Sequence, residues 1–186
     1  MSALRIRNDL AGEAVSTSEL RVRSLVDAHF DFVWRSLRGL GVPQSSVDDA
    51  AQQVLLIASQ KVDAIERGRE RSFLFATARG IAANERRSRA RRREVIDDEL
   101  ACAEIDGSPD PETAYSKMQA HVLLERIMES MDESSRTVFV LFELEGLTMI
   151  EIATMIGAPL GTVASRLRRA RSHFQIEAAK LRAEAR

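Results

Sequence analysis

The side chains with most chemistry to offer are arginines and short hydroxyls, gathered in two places along the 186-residue chain. Between Leu160 and His173 there are four Arg and no acid, and between Glu66 and Arg93 ten Arg stand against three Glu. A guanidinium presents its N–H donors in a rigid fork that matches phosphate oxygens and the major-groove edge of guanine. Such blocks point to nucleic acid as the partner. The net charge of −1 conceals them, because Glu94 to Ala114 carries eight acids and no base. Distribution decides here, since two basic blocks flank an acidic one and cancel in the sum.

Other chemistries find no residues to carry them. Cys102 is the only cysteine, which rules out an internal disulfide, and it lies in an acidic stretch that does not activate a thiol. His29, His121 and His173 are far apart and none neighbours Cys102, so no metal site is expected. No Gly-rich phosphate loop or nucleophile–base set is present, and the pair Asp97-Asp98 falls in a linker-like stretch. The expectation is a protein that is not an enzyme and takes no cofactor. Met1 to Glu19 has no apolar core or cleavage-like segment, and no window approaches eighteen consecutive apolar residues. A cytoplasmic protein without membrane insertion is expected.

The elements that must position the arginines read as helices. Prolines number four, glycines nine, and Ala, Leu, Glu and Arg dominate long stretches, so the fold class expected is all-α. Residues 1–19 lack periodicity and read as a flexible leader. Val22, Val26, Phe30, Val33, Leu37 and Leu40 then recur at helical spacing, ending at Gly39-Leu40-Gly41-Val42-Pro43. Ser46 is expected to cap a second helix whose inward stripe is Val47, Ala51, Val54, Leu55, Ala58, Val62 and Ile65. After Gly68 a third helix starts near Arg71, with Phe73, Leu74, Thr77, Ala78 and Ile81 inward, and runs into Arg86 to Arg93. Residues 20–94 form one unit on this reading, and the acidic stretch 95–117, with Gly107, Pro109 and Pro111, forms an extended linker. Residues 118–182 form the second unit.

Within that second unit Thr148 and Glu151 stand at capping-box spacing. Gly157 suits a left-handed helix end, and Pro159 opens the next helix. Val163, Leu167, Ala170 and Phe174 make an apolar stripe. Two short helices joined by such a turn form a helix-turn-helix. With Val163 inward, Ser165, Arg168, Arg169 and Ser172 lie on the opposite side, with Thr162 and Arg166 toward its flanks. An ordinary surface helix mixes charge signs, and this one does not.

These words resemble a known family. Met131-Asp132-Glu133-Ser134-Ser135-Arg136-Thr137-Val138-Phe139, Glu145-Gly146-Leu147-Thr148 and Gly161-Thr162-Val163-Ala164-Ser165-Arg166-Leu167 resemble region 4 of sigma-70 factors. Leu25 to Phe30, Val47 to Leu55 and Phe73 to Arg79 with the arginines behind them resemble region 2. No separate region 3 fits between, which resembles the extracytoplasmic-function group. Gly80, Gln53 and Ala164 depart from it, standing where an Asn, an acid and a basic residue are common in relatives.

The resemblance implies two small helical domains and a promoter-recognition subunit of RNA polymerase. It implies −35 recognition by Thr162, Ser165, Arg166, Arg168 and Arg169. For −10 recognition and melting it implies Arg79, Arg86, Arg87, Arg89 and Arg91, with Phe73 and Phe75 supplying or supporting a stacking surface, or else lying in the core. Asp48, Asp49, Gln52 and Gln53 are the implied contacts to core RNA polymerase. The implied partners are the beta-prime clamp helices and beta flap of that polymerase, promoter DNA and an anti-sigma factor. Two rivals stay open on the residues alone: a stand-alone helix-turn-helix regulator, and an RNA-binding or scaffold protein using the Arg cluster.

Overall fold

The computed structural model describes residues 17–95 and 123–184, and every regular element among them is helical. The first domain comprises α1 (Thr17–Gly39), α2 (Gln44–Gln60), a single 3₁₀ turn (Val62–Ala64) and α3 (Glu70–Val95). The second comprises α4 (123–130), α5 (Glu133–Phe139), a wide π turn (Val140–Leu144), α6 (Met149–Ile156) and α7 (Leu160–Glu184). The expected linker, apart from Val95, and most of the expected leader lie outside the described residues. Thr17 to Glu19, counted in the leader, belong to α1.

Helical period brings the α2 and α3 stripes inward as expected, with Val47, Ala51, Val54, Ala58, Leu74 and Ala78 fully buried. Of the stripe expected on α1, Val33, Leu37 and Leu40 are fully buried and Val22 and Val26 half-buried, and the expectation fails at Phe30. Leu25, Phe32, Val33, Ser36 and Leu37 are buried, whereas Phe30 is 39% exposed. Phe32, not Phe30, meets Phe75 of α3, with ring centroids 6.3 Å apart. The expected Ser46 cap is also corrected. α2 starts at Gln44, after Pro43 in extended backbone, and the Ser46 hydroxyl is buried inside the first turn without a hydrogen-bond partner. Pro43 fixes its own φ at −66° and presets the chain to enter the helix.

In the second domain local chemistry acts as read. The Thr148 hydroxyl accepts from the Glu151 N–H while the Glu151 carboxylate accepts from the Thr148 N–H at 2.8 Å. Gly157 ends α6 at φ 64°, and the Ala158 N–H closes the turn on the Ala153 carbonyl at 3.0 Å. Asp132 is a cap not anticipated from sequence: its carboxylate accepts from the Ser135 N–H at 3.0 Å and from the Ser134 hydroxyl at 2.7 Å. Those bonds, the Ser135 ones first, hold its carboxyl well below the usual range, aided by the nearby Arg169 charge. Phe139 stacks on Phe174 at 5.3 Å, fixing α5 against α7.

The two domains are docked. One hydrophobic core runs continuously from Leu25 and Leu37 through Leu40 and Val42 to Val138, Val140 and Leu141, and on to Val163 and Ala170. Within it Leu167 is 4% exposed, so Leu167→Ala should destabilise the protein by ~2–5 kcal/mol, as a buried Leu truncation does. Urea titration followed by circular dichroism checks this; a near-neutral value would mean that α7 does not hold this rotation.

Candidate nucleic-acid and polymerase interface

α7 sorts its residues by period. Val163, Leu167 and Ala170 are buried, while Ser165, Arg168 and Arg169 are exposed, with Thr162 and Arg166 half-buried at the flanks. The five residues expected to read DNA therefore share one open side of the helix behind the turn at Gly157. The Ser165 hydroxyl is bonded back to the Thr162 carbonyl at 2.9 Å, so as placed it presents its lone pairs outward. Arg171 belongs elsewhere. It is ion-paired with Glu143 at 2.6 Å and lies over the Phe142 ring at 4.8 Å, tying α7 to the π turn.

The α3 residues divide into three groups. Phe75 is 2% exposed and packs in the core, which removes it as a stacking surface and leaves it a supporting role. Phe73 is half-buried against the same core. Arg87 and Arg91 are exposed and Arg79 half-buried on the helix, with Arg87 donating to the Asn84 side chain at 2.6 Å. Arg86 and Arg89 instead cross to the second domain. Arg86 donates to the Leu40 carbonyl at 2.7 Å and pairs with Glu133 at 3.2 Å; Arg89 pairs with Glu129 at 3.2 Å. Gly80 is exposed in mid-helix, and a Cβ there would meet nothing within 4 Å. The backbone has room for a side chain at this departure from the family pattern.

On α2, Asp48, Asp49, Gln52 and Gln53 are all exposed, and Asp48 accepts a hydrogen bond from the Trp34 indole at 2.9 Å. Leu56 extends the strip of Asp49, Gln52 and Gln53 by one helical turn and is 59% exposed. Sequence reading overlooked it, because a Leu next to the stripe residue Leu55 looks like core. The detectable signal was its spacing, at positions i+3, i+4 and i+7 from three polar residues.

Further residues missed from sequence form the seam between the domains. Arg136 is 3% exposed and its guanidinium donates to the carbonyls of Leu40 at 3.3 Å, Glu129 at 2.9 Å and Met131 at 2.9 Å. Burial, and then the Arg86 charge, lower its pKa to about 10, with Glu129 and Glu133 opposing. It remains charged at neutral pH. The Glu145 side chain is 1% exposed and pairs with Arg35 of α1 at 3.1 Å and Arg71 of α3 at 3.9 Å. That pairing holds the Arg35 pKa above its usual value, chiefly through the hydrogen bond. Arg38 pairs with Glu125. Among the described residues no His, Cys, Asp and Glu group is arranged to hold a metal ion, and no helix is long and apolar enough to cross a membrane.

Comparison with known proteins agrees with this layout. The Sigma-70 region 2 profile matches residues 25–92, and the profile of Sigma-70, region 4, matches residues 121–174. The ECF RNA polymerase sigma factor SigL of Mycobacterium tuberculosis is 30% identical over 176 residues, covering 92% of this chain and 93% of the relative. The ferric citrate uptake sigma factor FecI of Escherichia coli is 27% identical over 173 residues, covering 90% and 98%. Among solved structures, the sigma factor RpoE in complex with the anti-sigma factor NepR from Bartonella quintana shares the fold, with a TM-score of 0.63 at 20% identity over 84% of this chain and 96% of that one. An arginine-faced helix-turn-helix and a basic three-helix domain, joined in the order of regions 2 and 4, thus place the chain in the extracytoplasmic-function group of RNA polymerase sigma factors, to which it belongs.

Proposed function

We propose that the chain directs core RNA polymerase to its promoters by dividing the work between its two docked domains, itself catalysing no reaction and acting in the cytoplasm. The observation that carries this is the exposed strip of Ser165, Arg168 and Arg169, flanked by Thr162 and Arg166, on the open side of α7. In this reading the strip enters the major groove at the −35 element. A bidentate Arg–guanine pair there contributes ~1–3 kcal/mol of discrimination. The remaining guanidinium groups hold phosphates and set the register.

The first domain, taken as residues 20–94, handles the −10 element. Arg79, Arg86, Arg87, Arg89 and Arg91 grip the backbone, and Phe73 lies beside the path of an unstacked base, with Phe75 behind it in the core. Unstacking one base costs a few kcal/mol, which favours melting only in company with the polymerase. The contact to the polymerase runs along Asp48, Asp49, Gln52, Gln53 and Leu56, where one exposed apolar side chain amid polar neighbours suits a protein interface. The beta-prime clamp helices are its partner, and the beta flap meets the second domain, residues 118–182. The acidic linker at 95–117 joins the two. The solved complex with NepR supports regulation by an anti-sigma factor.

Purified core polymerase titrated with the labelled protein tests this. A stoichiometric complex is expected, weakened at least about ten-fold by Leu56→Glu, a loss of ~1.4 kcal/mol. Tight promoter binding without any affinity for core would instead select the stand-alone regulator. Arg168→Ala should leave core binding and thermal stability unchanged while reducing −35 discrimination by ~1–3 kcal/mol. Unaltered promoter selectivity in holoenzyme footprinting would remove Arg168 from the reading face.

A further inference from the structure

The chain has a single tryptophan, and it stands beside the exposed strip of α2. Trp34 is half-buried on α1, packed against the common core. Its indole N–H reaches across to α2 and donates to Oδ1 of Asp48 at 2.9 Å. The other oxygen of that carboxylate has no partner among the described residues. Gln52 follows Asp48 by one helical turn, so the bonded carboxylate borders the strip of Asp49, Gln52, Gln53 and Leu56 on its α1 side. Phe30, one turn before Trp34 and exposed, lengthens the same aromatic edge.

Packing alone does not call for this bond. A fully buried indole needs a partner for its N–H, but a half-buried one has water within reach. What the bond changes is Asp48. An exposed aspartate samples several rotamers, and fixing one of them on association weakens binding, whereas a side chain held beforehand avoids that loss. The identity of the donor matters as much. A lysine or arginine at position 34 would hold the carboxylate and cancel its charge, while the indole is a neutral group that only donates. Asp48 therefore keeps its negative charge and one open oxygen, aimed by its neighbour.

We propose that Trp34 is a positioning residue of the polymerase-binding surface: its N–H holds the Asp48 carboxylate at the edge of the α2 strip for a lysine or arginine of core polymerase. This rests on the reading of the α2 strip as the contact to core. Trp34 acts through Asp48, so its N–H matters to binding only while that carboxylate is present.

With one tryptophan in the chain, growth of a tryptophan auxotroph on the benzothiophene analogue replaces that indole alone, exchanging N–H for sulfur at nearly constant shape. Trp34→Phe is the encoded companion, and the isostere keeps the test open if that variant folds poorly. Full-length proteins are titrated against core polymerase with and without Asp48→Ala, as a double-mutant cycle. Loss of the N–H is expected to weaken core binding at least about five-fold, and to leave Asp48→Ala no weaker than it already is. In the free protein the single indole N–H signal seen by NMR should move on Asp48→Ala and hold its place in Asp48→Asn, which retains an acceptor but should bind core as weakly as Asp48→Ala. Unchanged core affinity without the N–H would overturn the proposal. So would wild-type affinity in Asp48→Ala, or losses that multiply in the double variant, since Trp34 would then act on its own. Leu56→Glu separates this from the broader reading: weakening by Leu56→Glu with indifference to Trp34 and Asp48 keeps the strip and refutes the positioning role, whereas a wild-type protein without affinity for core removes both.

Discussion

Arg136 is the residue on which the arrangement depends. A buried guanidinium is costly unless its donors are met, and here three backbone carbonyls from two domains meet its two terminal nitrogens, Leu40 from the α1–α2 turn and Glu129 and Met131 from the passage between α4 and α5, while Nε has no partner. One side chain thus fixes the sharp passage from α4 to α5 and pins the first domain's turn to it. The residues around it follow from that. Gly39 and Gly41 let the turn come close, and Arg86 and Arg89 arrive beside it and take Glu133 and Glu129. The apolar core closes over the rest without a break. The exposed ion pairs taken singly contribute ~0–1 kcal/mol each; the buried guanidinium and the packed notch hold the register, and the ion pairs choose which arginines are occupied.

What could be read from sequence was what is local. The Thr148–Glu151 box, the Gly157 stop, the α7 stripe and the inward faces of α2 and α3 all follow from spacings of three or four residues, and the structure places them accordingly. Errors arose where neighbours in space outvote neighbours in sequence. Phe30 and Phe32 are equally apolar on paper, and only the presence of Phe75 across from α1 decides that Phe32 is the one buried. Ser46 looked like a cap because it precedes two acids, but Pro43 had already turned the chain into the helix.

The seam was the least legible part, since none of its pairs is close in sequence: Arg35 reaches Glu145 and Arg38 reaches Glu125 across the whole linker. One signal was nevertheless present. Glu125, Glu129 and Glu133 recur at every fourth position and so present three carboxylates in a row. Their partners are Arg38, Arg89 and Arg86, all from the first domain. Two small helical domains on a tether imply independent units, whereas the shared core makes them one body with a weakly held electrostatic edge.

The central claim is that this chain gives core polymerase its choice of start site, and the most direct test is transcription in vitro. Purified protein is added to sigma-free bacterial core polymerase with genomic DNA fragments, and transcript ends are mapped. The account predicts discrete start sites that depend on the protein and share common upstream elements at the −10 and −35 spacing. Core polymerase bound by the protein yet producing no protein-dependent start site on any fragment would contradict it.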